Sequence, residues 1–423
     1  MKKALFVVST WKPCMMADMQ RVRLIAAEMP AHGWDVEILA PDASFQKDFS
    51  RVQGEGMAFP EVTLHEAHPW CPEFFERIGS RNIGIRASVP VRRLGAQLCR
   101  RNRYDLVYFS TTQHWLTCQG ASWRGKSGVP YVVDLHDPIH LEKKVYFVSR
   151  HRLKEKIAFA LGRQVERLSL GRADGLISVS QGYIDDAARR NPAAPWVRRQ
   201  KSMVEMFPAD LHALTSARHT PRQPAARPRV VYVGAGGNIM EKGWLELVDC
   251  LKGFDVEALP AIELHGTDTD WRRNKRLYLQ EAADSSGLKG IVKEHPARIS
   301  YQESVSLASS ADGLLVLGVD DPNYRPSKLH TYLATGLPVL AILHADSPLA
   351  AQLPAESPCV HVLRFGRSGL ESDNRHAVSA FLNALKPGGR RALPEERGIL
   401  TPALSAAHHA RFFECVVDAA GSD

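Results

Sequence analysis

The sequence predicts an α/β protein made of two Rossmann-like, doubly wound domains facing across a cleft. Three observations predict it. Short apolar strands alternate with helical patterns along most of the chain. The alternation breaks once, in a proline-rich stretch after Phe207. It then restarts with a strand and a glycine-rich turn, Gly234-Ala235-Gly236-Gly237-Asn238. A length of 423 residues suits two domains of about 200 residues each.

The first half opens on the apolar strand Ala4–Val8. The loop Ser9–Asp18 follows, and then a helix over Met19–Ala31 with apolar Val22, Leu24, Ile25 and Met29. Gly33 ends that helix. With the strand Val36–Ala40 this makes a βαβ unit, which implies a parallel sheet. Further strands are expected at Leu106–Phe109, Tyr131–Val133 and Gly175–Val179. Residues 1–207 are thus one domain. Residues 208–228, with Pro208, Pro221, Pro224 and Pro228, read as a linker and hinge. Residues 229–398 form a second domain, with strands at Arg229–Val233, Ala261–His265, Gly313–Leu317 and Pro338–Ile342. Residues 399–423 end the chain in a helix with Leu404, Phe412, Val416 and Val417. In open sheets of this kind, ligands bind outside the carboxyl ends of the strands.

Composition narrows the function. Hydrophobic residues make up 44% and charged residues 24%, which excludes a chain disordered throughout. The seven cysteines are scattered and form no C-x-x-C pair, so neither a zinc site nor a disulfide framework is indicated. A reducing cytosol is the simplest compartment. No stretch approaches the ~18 apolar residues of a membrane span. The net charge of +8 concentrates in two runs, 81–103 and 149–172. Both have apolar residues at helical spacing, a pattern that suits an anionic membrane surface as well as a plain solvated face. No nucleic-acid-binding module is recognisable.

The most informative segment is Pro326-Ser327-Lys328-Leu329-His330-Thr331-Tyr332-Leu333-Ala334-Thr335-Gly336-Leu337-Pro338-Val339-Leu340. Ser327 is expected to cap a helix ended by Gly336. A helix start offers free N–H groups suited to phosphate, and Arg325 and Lys328 add two cations there.

This segment, together with Ser300-Tyr301-Gln302-Glu303 and Ala311–Leu317, resembles the C-terminal half of family 4 glycosyltransferases with the GT-B fold. Tyr232-Val233-Gly234 followed by Glu241-Lys242-Gly243 resembles the family's nucleotide-domain opening loop. In the first half, Arg21, His32-Gly33-Trp34-Asp35-Val36 and Arg172–Ser180 fit the family's pattern. The resemblance implies a glycosyltransferase. It would move a sugar from a nucleotide-diphosphate-sugar donor to a glycan or lipid-linked acceptor, with retention and without a metal or other cofactor. The setting would be polysaccharide or glycoconjugate biosynthesis, in the cytoplasm and peripheral to the inner membrane face. The C-terminal domain would hold the donor and the N-terminal domain the acceptor. The terminal helix would cross back to the first domain. The donor set would be Gly234, Gly236, Gly237, Lys242, Arg325, Ser327, Lys328 and Thr331, with Lys242 on the diphosphate.

Two departures mark the donor pocket. Many members carry an arginine where this chain has Ala235, and glutamates where it has Thr331 and Asn323. Neutral side chains make weaker hydrogen bonds to sugar hydroxyls than carboxylates do. Arg325 or Lys328 is the available replacement for the arginine. Tyr131-Val132-Val133-Asp134-Leu135-His136-Asp137-Pro138-Ile139-His140 is a buried strand opening onto polar residues. His136 and Asp137 are therefore the catalytic candidates, for acid–base work or for binding a sugar hydroxyl. A metal set of His136, Asp137 and His140 lacks an apparent fourth ligand. Arg21 and His114 are the acceptor-side candidates. Two other readings stay open: a catalytically silent GT-B subunit partnering another glycosyltransferase, and a GT-B sugar-nucleotide epimerase.

Overall fold

The computed structural model describes residues 1–14, 16–45, 54, 56–71, 82–101, 104–140, 152–217, 227–268, 277–356, 359–385 and 398–421. The chain divides into two units. Met1–Gly54, Ala58–Pro208 and Thr401–Asp423 form the first; Glu55–Met57 and Ala209–Leu400 form the second.

The strands of the first unit are β1 (Lys2–Val7), β2 (Trp34–Pro41), β3 (Thr63–Ala67), β4 (Leu106–Ser110), β5 (Tyr131–Leu135), β6 (Gly175–Ser178) and β7 (Ser202–Val204). They form one parallel sheet in the order β3-β2-β1-β4-β5-β6-β7. β4, β5 and β6 are buried along their whole length, which is why they read as unbroken apolar runs. β3 and β7 lie at the edges and carry exposed residues, so no apolar run announced them. The helix expected over Met19–Ala31 is shorter. It spans Gln20–Ile25 and is followed by a 3-10 turn, Met29–His32. Pro30 has no N–H to continue the α-helical ladder.

The last helix, Pro402–Ala420, belongs to this first unit. Thr401 caps it, its Oγ1 accepting from Leu404 N at 3.2 Å. Phe413 packs on Phe6 and Tyr108, which are register partners on β1 and β4. All three rings are fully buried, and burial of each contributes about 1.5–3 kcal/mol. Gly175 makes room for the helix, because a Cβ there would lie 2.8 Å from Val416 Cγ2.

In the second unit the strands are β8 (Arg229–Val233), β9 (Ala261–His265), β10 (Val292–His295), β11 (Gly313–Leu317), β12 (Val339–His344) and β13 (Val360–Phe365). They pair in parallel in the order β10-β9-β8-β11-β12-β13. Both sheets therefore change winding direction beside their first strand, at β1/β4 and at β8/β11. Such switch points are where open α/β sheets bind ligands. The motif Ser300-Tyr301-Gln302-Glu303 is a complete capping box for the helix Tyr301–Ser310.

The stretch 208–228 is not linker throughout. Leu211–Ala217 is a helix of the second unit, with Leu214 packed in a cluster with Val305 and Ala334. Asp210 begins it: Oδ1 accepts from Ala213 N at 3.0 Å and Oδ2 from Tyr301 Oη at 2.5 Å. Residues 218–226 of the expected linker lie outside the described residues, as do residues 81, 102–103 and 149–151 of the two basic runs.

Candidate active site

The loops after β1 and β4 flank the switch point of the first sheet, and Asp18 ties them together. Its Oδ2 accepts from Ser9 Oγ (2.7 Å), Thr111 Oγ1 (3.0 Å), Thr112 N (3.0 Å) and Thr112 Oγ1 (3.3 Å). Its Oδ1 is buried without a hydrogen-bond partner among the described residues, and so are Thr10 Oγ1, Gln113 Oε1 and His114 Nδ1. Each such orphan costs about 1–3 kcal/mol. A rim of unmet acceptors suits a ligand rich in hydroxyl groups.

Beside this rim, β5 carries Asp134, and His136 follows directly at its end. The two-residue period of a strand puts both on one face. His136 Nε2 lies 2.7 Å from Asp134 Oδ2 and 3.2 Å from Ser110 Oγ. Tyr108 Oη donates to the same Oδ2 at 2.6 Å. Arg21 is fully buried; its Nε stands 3.3 Å from Asp134 Oδ2, and its Nη2 donates to Glu205 O at 2.7 Å. Its guanidinium also lies 4.9 Å from the centre of the Phe207 ring. Burial works to raise the Asp134 carboxyl, but the Arg21 charge and the bonds from His136 and Tyr108 outweigh it. The carboxyl is held well below the usual carboxylate range. From the last helix, His409 approaches Tyr108 Oη at 3.4 Å, and its Nδ1 faces Ser405 O at 2.7 Å. Burial, and then the Arg21 charge, lowers His409 to about 3. Burial lowers His114 to about 4.

The second unit builds a different rim. Gly234 N donates to His265 O and Gly236 N to Thr267 O, each at 3.0 Å. The turn after β8 thus continues the pairing of β8 with β9. Gly236 tolerates no side chain, since a Cβ would lie 2.8 Å from Thr267 Cβ. Lys328 Nζ reaches across to the end of β8 and donates to Val233 O at 2.6 Å. Burial, and then the Arg298 charge, lowers this amine to about 8. Two cations thus share the carboxyl edge of this sheet.

The expected site residues separate into those that converge and those that do not. Arg21, His114 and His136 converge in the first unit. Asp137 is exposed on the loop past β5. In the second unit, Lys328 joins Gly234, Gly236 and Gly237. Lys242, in the first turn of the helix Glu241–Leu251, forms an exposed ion pair with Asp320. Arg325 holds its own loop, with Nη1 donating to Pro322 O, Tyr324 O and Ser347 Oγ. Thr331 Oγ1 accepts from Asp210 N at 3.2 Å and so serves the helix Leu211–Ala217. Ser327 is not a helix cap. The helix is only Leu329–Leu333, its cap position is Lys328, and no side chain caps it. One and a half turns generate little dipole, so the Lys328 ammonium replaces the expected helix start as the positive feature. Sequence reasoning missed Tyr108, Asp134, His409 and Arg298. Asp134 had a signal: a charged residue inside an apolar strand, two positions before His136.

Among the described residues, no group of three or more His, Cys, Asp or Glu side chains is placed to hold a metal ion. None of their helices is long and apolar enough to cross a membrane.

Residues 19–200 match the family of the glycosyl transferase 4-like domain. Over these residues the chain carries a glycosyl transferase 4-like domain. Solved structures give the fold of the whole chain as GT-B. HepE from Anabaena, solved in complex with UDP and glucose, is 15% identical, with 100% of this chain and 98% of HepE covered and a TM-score of 0.54. WaaG, a glycosyltransferase involved in lipopolysaccharide biosynthesis, is 15% identical, with 99% of each chain covered and a TM-score of 0.55. A glycosyltransferase from Rickettsia africae is 12% identical, covering 99% and 94%, with a TM-score of 0.54. No curated protein matches the sequence.

Proposed function

We propose that this glycosyltransferase takes a nucleotide-diphosphate sugar as donor and transfers the sugar to a glycan or lipid-linked acceptor. Transfer occurs with retention and without a metal, in polysaccharide or glycoconjugate assembly. The observation that carries this reading is the half-buried Lys328, its ammonium fixed on the carbonyl of Val233 beside the glycine-rich turn. Transfer leaves negative charge on the departing diphosphate, and without a metal that charge needs cations and N–H dipoles. Lys328, with Arg298 near it, supplies the cations. Lys242 joins them once it leaves Asp320. In the first unit, the unmet polar atoms around Asp18, His114 and His136 receive acceptor hydroxyls. The bound UDP and glucose of HepE and the lipopolysaccharide role of WaaG, both of the same fold, support the donor class and the acceptor class.

We also infer that the enzyme works in the cytoplasm at the inner membrane face. On the helix Ile83–Arg101, Arg92, Arg93, Arg100 and Arg101 are exposed. On the helix Arg152–Leu170, Phe159, Leu161 and Leu168 are exposed beside Arg163 and Arg167. Apolar side chains among arginines favour anionic lipid. Flotation with anionic and with neutral vesicles tests this, and equal binding to both would refute it.

A thermal-shift screen with UDP, GDP, ADP and CMP, each with common sugars, tests the donor. The preferred nucleotide is expected to raise the melting temperature; no shift with any of them would sink the reading. Release of nucleotide in EDTA, and the anomeric signal of the product by NMR, test metal independence and retention.

A further inference from the structure

We propose that Asp134 is a positioning residue: it holds His136 as the Nε2–H tautomer and leaves Nδ1 as the lone-pair acceptor for a substrate hydroxyl. The inference deepens the reading of His136 given above and rests on it for the identity of the ligand.

The argument begins with Asp134 Oδ2. Four groups converge on that oxygen. Tyr108 Oη lies at 2.6 Å, His136 Nε2 at 2.7 Å, Ser110 Oγ at 3.1 Å and Arg21 Nε at 3.3 Å. All belong to residues buried from solvent. Beside a guanidinium and several donors, the carboxylate stays ionised and can only accept. The imidazole nitrogen facing it must therefore carry a hydrogen. A neutral imidazole has one N–H, so the lone pair falls on Nδ1. That Nδ1 is buried and has no hydrogen-bond partner among the described residues. The same is true of Nδ1 on nearby His114. A substrate hydroxyl would donate to His136 Nδ1 and relieve the unmet acceptor.

The surrounding groups keep the carboxylate in place. Arg21 is anchored on Glu205 O and against the Phe207 ring, and that ring also packs edge-on to His136 at 5.0 Å. His409 stands behind Tyr108. A flip of the histidine ring would put Cε1 in the place of Nε2 and lose the bond to the carboxylate.

The test is spectroscopic. Long-range proton–nitrogen NMR reports which ring nitrogen of a histidine is protonated, and comparison with His136→Gln assigns the signal. The full chain is expected to give the Nε2–H pattern for His136. In Asp134→Ala, that pattern is expected to give way to a mixture of tautomers. An Nδ1–H ring in the native protein, or an unchanged Nε2–H ring in Asp134→Ala, overturns the assignment. If Asp134→Ala does not fold, the native spectrum alone decides. The two readings fail separately. An Nδ1–H ring overturns the role of Asp134 whatever the enzyme transfers. An Nε2–H ring in a protein whose His136→Gln form turns over donor at the full rate supports Asp134 and overturns the role given to His136.

Discussion

Lys328 and Val233, 95 residues apart in sequence, meet at the carboxyl end of β8, where the lysine ammonium donates to the valine carbonyl at 2.6 Å. A cation held on backbone in this way is fixed before any ligand arrives, which lowers the cost of ordering it on binding.

Lys328 gives a pH signature. Burial and Arg298 lower it from the usual 10.5 to about 8. A bound diphosphate would raise it again, so binding takes up a proton above pH 8. Nucleotide affinity is therefore expected to be constant below pH 8 and to fall above it, at most about tenfold per pH unit. Calorimetry across that range checks it. In Lys328→Met the affinity is expected to be lower and flat with pH; an unchanged, steeply pH-dependent affinity would remove Lys328 from the site.

Lys242→Ala separates binding from stability. The Lys242 side chain is 66% exposed and Asp320 is 39% exposed, and such a pair contributes less than about 1 kcal/mol to folding. Urea unfolding is expected to be nearly unchanged. Nucleotide affinity is expected to drop about tenfold. A loss of stability with no loss of affinity would assign Lys242 to the fold alone.

The pair Arg21 and Asp134 behaves in the opposite way. Both side chains are fully buried, and removing one partner of a buried pair costs about 3–5 kcal/mol. Arg21→Ala is expected to lose that much in chemical denaturation. Arg21→Lys is not expected to rescue it, because one ammonium cannot reach Glu205 O, Asp134 and the Phe207 ring together. A stable Arg21→Ala protein would show that water or a rearrangement compensates the carboxylate.

Acid should weaken the fold through its neutral histidines. Burial is the first cause in each: His114 and His330 fall to about 4 and His409 to about 3, against the usual 6.5. The unfolded chain binds these protons at higher pH than the native one. The stability they contribute is therefore complete above 6.5 and is lost as pH falls toward 3–4, by up to about 1.4 kcal/mol per pH unit for each histidine. Urea melts at about pH 7.5 and about pH 5 check the sign. His409→Gln is expected to flatten the dependence by about one histidine, and an identical slope would contradict it.

Much of the fold was legible because strands buried on both faces must be apolar throughout. β4, β5, β8 and β11 carried that mark, and the edge strands β3 and β7 did not. The candidate site was only partly legible. His136, Arg21, His114 and Lys328 stood out as polar residues next to buried strands. Lys242, Arg325, Ser327 and Thr331 belong to the same expected donor set, yet the structure gives them an exposed ion pair, a loop contact, an uncapped helix start and the anchoring of another helix. Spacing in sequence does not say which neighbour a side chain meets.

By itself the sequence determined two doubly wound parallel sheets and the segments that form their carboxyl edges, since hydrophobic period and turn residues act locally. Only the tertiary structure decided that Tyr108, Asp134 and His409, from three distant segments, share one buried network around His136. Those contacts are set by how strands align in register and how the last helix packs, and each depends on the whole unit being folded.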